Sequence, residues 1–358
     1  MRFHTSVTER GDFRSCRRRW DLGVNKCLVH KSRVPWNLIF GEAIHKGLEA
    51  YYKNNNRQVA RAKAAFTRQW KVELSNLMDV YGTLFGHGIE DEWQMYQDKG
   101  IQMLTYYDFY DQKFPFWDDV LEVNIEERAF VDILDLDGER LPGLPLLSGR
   151  IDLVVKKDKG IWIVDHKTAA NAYQARALDV DDQLTGYAYV YWRLSGEVPR
   201  GVIYNALIKE PPRPPKVLNS GELSKDKSQR TTYDLYLTAI KENGLERADY
   251  TEMLEFLFDK GWSQFFLRDA MERNIEELES FEKRLRYEYT DMVRAIEDPA
   301  YMYPNPSQSN CSWCGYVAIC QAMEEQGDVE YVIEEGYEVI PPRIQIPKRV
   351  LSEKWEGV

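Results

Sequence analysis

The first pattern of apolar and polar positions along the chain is helical. Behind Ser6 and Glu9, which stand at capping-box spacing, apolar residues recur every three or four positions as far as Val24. This spacing predicts a short helix within residues 6–28. The predicted helix carries Cys16, so a thiol is expected near the start of the fold.

A second helix is predicted from about Phe40 to Tyr52. Its apolar face is formed by Ile44, Leu48 and Tyr51. A neighbouring face carries Glu42, His45 and Glu49. Because residues three or four positions apart lie on the same side of a helix, the histidine is expected between two carboxylates.

Further along, helical and strand-like patterns follow each other. Residues 57–78 and 90–113 have helical periodicity, and VLEVNIEERAF alternates as a strand does. GVIYNALI is a second predicted strand. The chain is therefore expected to combine helices and strands in one fold.

The last third of the chain is more polar. The stretch from Lys209 to Thr232 is rich in proline and charge, which predicts an exposed loop. A long charged helix is predicted over residues 264–298, ending before Pro299. The tail after Gln321 is acidic and then contains proline, and it is expected to pack loosely.

The most informative segment is LLSGRIDLVVKKDKGIWIVDHKT. Two β-rich runs, over residues 147–155 and 161–167, flank a polar turn that contains glycine, which predicts a hairpin. In a hairpin whose turn is centred near Asp158 and Lys159, the residue numbers of every two paired residues add up to the same value. Asp152 is then opposite Asp165, and Arg150 is opposite Lys167.

This register gives the hairpin its chemistry. Opposed side chains have Cβ atoms about 4.5–5.5 Å apart, and two carboxylates so close repel each other unless a cation lies between them. Since side chains alternate along a strand, Lys167 lies on the same face as Asp165. A divalent cation held by the acids, with an ammonium beside it, suits phosphodiester hydrolysis. The alternative is an exposed hairpin whose charges are simply solvated.

The constellation resembles the PD-(D/E)XK nuclease superfamily, and within it the RecB-like exonucleases, by GRID, IVDHK and QLTGY. The resemblance implies that Asp152 and Asp165 bind the metal and that Lys167 is catalytic. It also implies that Gln183 and Tyr187, on a predicted helix, line the active site and help to hold DNA. The implied fold is α/β, with a restriction-endonuclease-like core, a mixed central β-sheet flanked by helices, and helical insertions.

His45 extends the resemblance, because GEAIHKGLE is similar to the family's histidine motif that precedes the hairpin. The resemblance implies an imidazole ligand beside the two carboxylates. Such a mixed ligand set suits Mn²⁺ as well as Mg²⁺. Glu42 and Glu49 are weaker candidates, and a structural role for the histidine is the alternative.

Three of the five cysteines lie within ten residues in CSWCGYVAIC. Cys311, Cys314 and Cys320 provide three ligands of a metal site, and Cys16 is the candidate for the fourth. Spacing alone fits Zn²⁺ or an iron-sulfur cluster. The arrangement is similar to that of AddB-type and CRISPR-associated RecB-like nucleases, which implies a 4Fe-4S cluster stapling the two ends of the chain. Cys27 is left as a buried or free thiol.

Length and pattern favour one elaborated domain in a chain of 358 residues. We expect a nuclease domain over residues 1–325 and a tail over 326–358. Insertions are expected at about 53–120 and 209–300, and cluster-binding ends at 6–28 and 300–322. No run of 18 apolar residues occurs, so no membrane span is expected, and the chain is interpreted as cytoplasmic.

Net charge limits the class of nucleic-acid binding. A net charge of −11 argues against a protein that coats nucleic acid through bulk electrostatics. Local basic patches are candidates for a path to the metal, namely RSCRRRW, with Arg14, Arg17, Arg18 and Arg19, and the stretch from Lys209 to Arg230. Each patch can equally be a solvated charged face.

The sequence contains no GxxxxGK[ST] motif, so no Walker-type ATP site is expected. The sequence thus favours a DNA exonuclease in recombination, repair or end processing, acting on DNA with a single-stranded end. A recombinase, a helicase or a CRISPR adaptation protein is a candidate partner. Two alternatives are a non-catalytic DNA-binding or assembly subunit on the same scaffold and a nuclease of CRISPR adaptation.

Overall fold

The protein is described from a computed structural model. The structure describes residues 4–31, 34–55, 57–81, 89–123, 129–133, 146–171, 178 and 181–340.

Helices occupy both the first and the last thirds of the chain. Those of the first third are α1 (Val7–Ser15), α2 (Arg17–Trp20), α3 (Trp36–Tyr52), α4 (Val59–Tyr81) and α5 (Ile89–Lys113). The later ones are α6 (Asp182–Ser195), α7 (Tyr233–Glu242), α8 (Thr251–Lys260), α9 (Ile275–Glu297), α10 (Gln308–Cys311), α11 (Val317–Glu324) and α12 (Val329–Gly336). The predicted helices near residues 57–78, 90–113 and 181–192 are confirmed as α4, α5 and α6.

The strands are β1 (His4–Ser6), β2 (Leu28–His30), β3 (Asp119–Val123), β4 (Ala129–Val131), β5 (Leu146–Gly149), β6 (Leu153–Lys157), β7 (Gly160–Ala169), β8 (Gly201–Ile208), β9 (Phe266–Glu272) and β10 (Tyr337–Val339). Within the described residues, the main sheet has the strand order β3-β6-β7-β8-β9. Only β7 and β8 in this order run parallel to each other. The predicted mixed central sheet is confirmed.

The hairpin of β6 and β7 has the predicted turn and register. Asp158 and Lys159 both adopt positive φ, at 51° and 63°, as a tight two-residue hairpin turn requires. Leu153 pairs with Val164 and Lys157 with Gly160, so the pairing follows the predicted constant sum. Asp152, just before β6, therefore stands at the position opposite Asp165.

The prediction of one strand over residues 147–155 was wrong. β5 belongs to a smaller sheet, parallel to β1 and antiparallel to β4, and the chain enters the main sheet only at Leu153. At the end of β5, Gly149 lies close to α6, and a Cβ there would lie 3.3 Å from Val190. Arg150 thus lies between two strands, and it is not paired across from Lys167.

The prediction of one helix over residues 264–298 was also wrong in its first part. Residues 266–272 form β9, which pairs with β8 at the edge of the main sheet. Its burial alternates along the sequence, as expected for an edge strand with one covered face. α9 begins only at Ile275, behind a capping box of Asn274 and Glu277.

The predicted strand VLEVNIEERAF is divided between β3 of the main sheet and β4 of the smaller sheet. Its residues 124–128 lie outside the described residues. The predicted helix within residues 6–28 is likewise divided, into α1, α2 and a π-helical turn over Asp21–Asn25. The Ser6/Glu9 capping box is confirmed.

Two apolar cores cover the two faces of the main sheet. One core includes Leu184 and Val190 of α6 and Phe281 of α9. The other includes residues of α3, α4 and α5, such as Ile44 and Phe66. A smaller separate core joins α7 and α8, which agrees with a helical insertion after β8.

The first and the last described segments of the chain pack against each other. β10 pairs antiparallel with β2, and Tyr316 donates a hydrogen bond to the carbonyl oxygen of Leu28 at 2.8 Å. The Asn310 amide donates to the carbonyl oxygen of Ser15 at 3.0 Å. The expectation of a loosely packed tail was therefore wrong up to residue 340, and residues 341–358 lie outside the described part.

Among the described residues, none of the helices is both long enough and apolar enough to cross a membrane.

Candidate active site

A cleft opens where β7 extends beyond its pairing with β6. Its volume is about 390 Å³, and its walls come from the start of α1, from α3, the β5–β6 connection, β7 and α6. The predicted site residues that line it are His45, Asp152, Asp165, Lys167, Gln183 and Tyr187. The structure brings these six side chains together, and their individual roles stay predictions.

Asp152 is held at the floor of the cleft by contacts to both carboxylate oxygens. Its Oδ2 accepts a hydrogen bond from the backbone N–H of His166 at 2.9 Å. Its Oδ1 lies 3.0 Å from Nδ1 of His45. The first contact comes from the strand that also carries Asp165, so one strand positions both acids.

The two carboxyl groups have opposite pKa shifts. Burial acts to raise the pKa of Asp152, but the charge and hydrogen bond of His45 and the charge of Arg150 hold it well below its usual range. Burial raises the pKa of Asp165 to about 6, and the negative charge of Asp152 acts in the same direction. The pair therefore favours one ionised acid and one that protonates near neutral pH.

Lys167 lies beside Asp165, as the alternation of β7 predicts. Its Nζ is 3.0 Å from Asp165 Oδ2, while the Asp165 side chain is 4% exposed. Burial acts to lower the pKa of Lys167, but the Asp165 carboxylate raises it above the usual range. The lysine is therefore a permanent ammonium, and it can stabilise negative charge in the cleft.

Gln183 and Tyr187 lie one turn apart on α6. The Gln183 amide donates hydrogen bonds to Tyr187 Oη and to Thr8 Oγ1, both at 2.9 Å. The Lys167 ammonium lies 5.9 Å from the centre of the Tyr187 ring. Asp181 caps the helix by accepting from the Leu184 N–H, so the start of α6 is fixed beside the cleft.

A buried polar network supports the floor of the cleft from behind. The Asn205 amide donates to Nδ1 of His166 at 2.7 Å, and its Oδ1 accepts from Nε of Arg268 at 3.1 Å. Arg268 also donates to Asp111 Oδ1 at 2.5 Å. Burial lowers the pKa of His166 to about 3, so the imidazole is neutral at physiological pH.

The sequence analysis did not predict this network, although a polar residue within an apolar strand indicates one. Asn205 is the polar residue in the centre of GVIYNALI, a strand buried along its whole length. A buried amide in such a strand requires hydrogen-bond partners, because leaving it unsatisfied would cost about 1–3 kcal/mol. Its partners come from α5, β7 and β9, which are distant in sequence.

The cleft has suitable donors for a divalent cation. Two buried carboxylates with an imidazole beside them are a usual ligand set for Mn²⁺ or Mg²⁺. However, across the described ranges no group of three or more His, Cys, Asp or Glu side chains is arranged to hold a metal ion as it stands. The acids are instead paired internally, Asp152 with His45 and Asp165 with Lys167. The donor chemistry fits, and a small rearrangement of side chains would be needed.

The predicted cluster ligands also face one space. Cys16, Cys311, Cys314 and Cys320 line a cavity of about 220 Å³, and Arg18 donates to Cys320 Sγ at 3.3 Å. Cys27 lies elsewhere, with its thiol 3.5 Å from the Val24 carbonyl oxygen. All five cysteines are free, and no iron-sulfur staple is seen in the part of the chain that the structure describes.

The basic patch around Cys16 is neutralised by ion pairs inside the protein. Arg14 pairs with Asp182, Arg17 with Asp291, Arg18 with Glu324 and Arg19 with Asp12. These side chains join α1 and α2 to α6, α9 and α11. The structure thus favours a structural role for this patch.

Within the second patch, Lys209 lies beside the cleft. It follows β8 directly, and its Nζ donates to Asn37 Oδ1 at 2.7 Å, where Asn37 lines the cleft. Burial and the charge of Lys99 lower the pKa of Lys209. Arg230 and Lys227 are instead paired with acids. Lys209 is therefore a member of this patch that lies close enough to the cleft to contact a strand leaving it.

A family model described as the PD-(D/E)XK nuclease superfamily matches residues 4–321. This range contains both strands of the hairpin, α3, α6 and all the cysteines. No curated protein matches the chain.

Among solved structures, the chain is similar to the protein VC1899 from Vibrio cholerae, at 10% identity. The match covers 69% of this chain and 61% of that one, with a TM-score of 0.17. The chain thus spans about three fifths of the length of VC1899. A TM-score this low carries no argument about fold or function.

Proposed function

The chain belongs to the PD-(D/E)XK nuclease superfamily, and we propose that it is a metal-dependent DNA exonuclease of the RecB-like type. The observation that carries the proposal is the convergence of Asp152, Asp165 and Lys167 on one wall of the cleft. Membership in the family implies metal-dependent nuclease activity. The exonuclease mode and the RecB-like type are the proposal's finer parts.

Asp152, Asp165 and His45 are proposed to hold the cation. A bound divalent cation would supply Lewis-acid stabilisation of the phosphoryl oxygens and a water activated at neutral pH. Asp165 has to be ionised for this role, and its proximity to Lys167 favours the ionised form. The hydrogen bond from the His166 N–H already orients the Asp152 carboxylate in the absence of a cation.

Lys167 is proposed as the catalytic ammonium. Because its pKa is raised above the usual range of a lysine, it is charged at neutral pH. It can therefore donate a hydrogen bond to an oxygen on which negative charge develops during attack on phosphorus. Gln183 and Tyr187 stand across the cleft, where they can contact the sugar-phosphate backbone.

The preference for DNA ends rests on the resemblance of QLTGY to RecB-like exonucleases. Lys209 supports a nucleic-acid path, because its ammonium has a neutral amide as partner at the mouth of the cleft. Recombination, repair or end processing is the proposed setting, with CRISPR adaptation as an alternative. A helicase or recombinase would have to supply any unwinding.

We further propose that Cys16, Cys311, Cys314 and Cys320 hold a 4Fe-4S cluster, with Zn²⁺ as the alternative occupant. The support is that these four cysteines line one cavity while Cys27 does not. Four thiolates suit either occupant. A cluster there would join α1 and α2 to α10 and α11, and it would add a covalent link to contacts that already hold the chain ends together.

The internal pairing of the cleft carboxylates favours a second candidate function. A non-catalytic DNA-binding or assembly subunit could keep Asp152 paired with His45 and Asp165 paired with Lys167 permanently. Such a subunit would bind DNA without hydrolysing it. The two candidates differ in whether a divalent cation enters the cleft.

The test is a nuclease assay on end-labelled linear DNA, single- and double-stranded, with a circular single strand beside them. Wild-type protein with Mn²⁺ or Mg²⁺ is expected to degrade the linear substrates, to spare the circle, and to stop on chelation. Lys167→Ala is expected to lose about 100- to 10,000-fold in rate. Lys156→Ala, an exposed lysine on β6, is the matched control and should keep full activity. Equal degradation by wild type and Lys167→Ala would overturn the assignment.

A further inference from the structure

The cleft contains a positively charged side chain, Arg150, to which the proposed mechanism assigns no role. Arg150 lies between β5 and β6, and its guanidinium lines the cleft. Its NH1 donates to both carboxylate oxygens of Glu42, at 2.8 and 3.0 Å. Its Nε lies 3.8 Å from Asp152 Oδ1. Arg150 therefore reaches the same carboxylate that is proposed to bind the cation.

Nδ1 of His45 lies close to both Asp152 and Arg150, but it can form a hydrogen bond with only one of them at a time. Nδ1 of His45 lies 3.0 Å from Asp152 Oδ1 and 3.4 Å from Arg150 NH2. A protonated Nδ1 can donate to Asp152, but it then offers no lone pair to Arg150. An unprotonated Nδ1 can accept from Arg150, but it then faces the lone pairs of Asp152. The shorter contact assigns the Nδ1 proton to Asp152, so the NH2 group of Arg150 has no acceptor in His45.

Glu42 explains why the guanidinium stays there. It binds NH1 alone, which leaves NH2 and Nε beside His45 and Asp152, two residues that line the cleft. A guanidinium held in this way presents a planar pair of N–H donors, the arrangement that matches two oxygens of a phosphate. Burial acts to lower the pKa of Arg150, but Glu42 raises it, so the positive charge is permanent.

The charges that line the cleft allow a phosphate to reach the N–H donors of Arg150 only when a divalent cation is bound. Glu42, Asp152 and Asp165 supply three negative charges when ionised, and Arg150 and Lys167 supply two positive ones. With His45 neutral, the cleft is then negative overall, and it repels a phosphodiester. With a divalent cation among the carboxylates the same groups become positive overall. Asp152 then shares its charge with the cation and attracts Arg150 less.

We propose that Arg150 binds a phosphate of the DNA backbone in the cleft and that Glu42 is the residue that positions it. The inference rests on the proposed function, because it assigns Arg150 to the substrate of the same site. A consequence is that DNA and the divalent cation bind cooperatively. Each must strengthen the binding of the other by the same factor, since linkage between two ligands is reciprocal.

The experiment measures the affinity of a fluorescent single-stranded oligonucleotide with Ca²⁺ in place of the catalytic cation, over a series of salt concentrations. Arg150→Ala is expected to bind about 10- to 100-fold more weakly, the usual loss for a charged hydrogen bond. The slope of log affinity against log salt should become shallower by about 0.7, the value for one lost phosphate contact on a single strand. Arg247→Ala, an exposed arginine near α8, is the matched control and should change neither quantity.

Mn²⁺ titration separates this role from a general disturbance of the site. Arg150→Ala should bind Mn²⁺ as tightly as wild type or more tightly, because a cation is removed from beside Asp152. A disturbed site would instead bind both ligands more weakly. If Arg150→Ala does not fold, Arg150→Lys keeps the charge, and it should keep the salt slope while losing affinity through the lost fork geometry.

Glu42 has its own readout. Glu42→Ala should lower kcat about tenfold with an unchanged salt slope, because the charge of Arg150 remains while its position is lost. Mn²⁺ affinity should also remain, and a large loss would mean that Glu42 is a metal ligand and would overturn its positioning role. If wild type cleaves DNA but Arg150→Ala binds it with wild-type affinity and salt slope, the inference alone fails. If wild type shows no metal-dependent cleavage, the proposed function fails first.

Discussion

The backbone N–H of His166 donates a hydrogen bond to Oδ2 of Asp152 at 2.9 Å. His166 stands between Asp165 and Lys167 on β7, so the strand that carries the second acid and the lysine also holds the first acid. The Asp152 carboxylate is therefore anchored to the backbone of the strand that carries Asp165 and Lys167. Behind the strand, the His166 ring is fixed by Asn205.

The affinity for Mn²⁺ should depend on pH through Asp165. Because burial raises its pKa to about 6, the metal-free protein binds a proton there as the pH falls through 6, and the cation must displace it. The logarithm of the Mn²⁺ affinity should fall by at least about one for each pH unit below 6, because the cation must displace the proton of Asp165. Titration calorimetry at several pH values measures this. An affinity that is constant between about pH 5 and pH 7 would contradict the assigned shift.

The Arg268–Asp111 pair should contribute strongly to stability. Both side chains are 1% exposed, so removing one partner leaves a buried charge uncompensated. Arg268→Met should lower the free energy of unfolding by about 3–5 kcal/mol. Urea denaturation measures the loss. Arg200→Ala breaks an exposed pair with Glu272, and it should cost less than about 1 kcal/mol. Similar losses for the two variants would contradict the buried network.

Gly201 should tolerate no side chain. A Cβ there would lie 2.1 Å from the carbonyl oxygen of Met271 and 2.7 Å from the Trp162 ring, between β7 and β9. Gly201→Ala should therefore destabilise the protein by about 3 kcal/mol. Gly11→Ala is the control, because nothing lies within 4 Å of its Cβ position on α1. It should stabilise by about 0.5–1 kcal/mol, as alanine favours helix. Thermal unfolding of both variants measures the two changes in stability, and a Gly201→Ala variant as stable as wild type would contradict the prediction.

The cysteine proposal predicts colour. Protein purified without oxygen should be brown and absorb near about 400 nm, as thiolate-bound iron-sulfur centres do. Cys16→Ser should lose this absorbance, whereas Cys27→Ser should keep it, because Cys27 lies outside the cavity of the other four. A colourless protein that contains one zinc ion per chain would show that the four cysteines bind zinc and not an iron-sulfur cluster. Loss of the metal in Cys27→Ser would show that the ligand set was wrong.

Local patterns predicted the β6–β7 hairpin and α6 better than they predicted the strands around them. The turn residues Asp158 and Lys159 fix the hairpin register, and the register alone places Asp152 opposite Asp165. That information is contained in about twenty consecutive residues. The same reasoning also gave the α6 helix with Gln183 and Tyr187, because its cap and apolar spacing are local.

Tertiary pairing decided what local patterns could not. Residues 266–272 have charges at spacings that also fit a helix, but they form β9 because β8 offers an open edge with matching burial. β5 likewise pairs with β1 and β4 of the smaller sheet, and these strands are distant from the hairpin in sequence. The contact of Arg268 with Asn205, and through it the support of His166, spans distant strands. No local spacing encodes such a network.

The central claim is that Asp152 and Asp165 share one divalent cation. The most direct test is a crystal structure of the protein with Mn²⁺, examined by anomalous diffraction at the manganese edge. We predict one strong anomalous peak in the cleft, bonded to carboxylate oxygens of both Asp152 and Asp165 and to His45, with Lys167 beside it. A cleft without manganese at saturating concentration, or with the two carboxylates turned away from a common ion, would contradict the account.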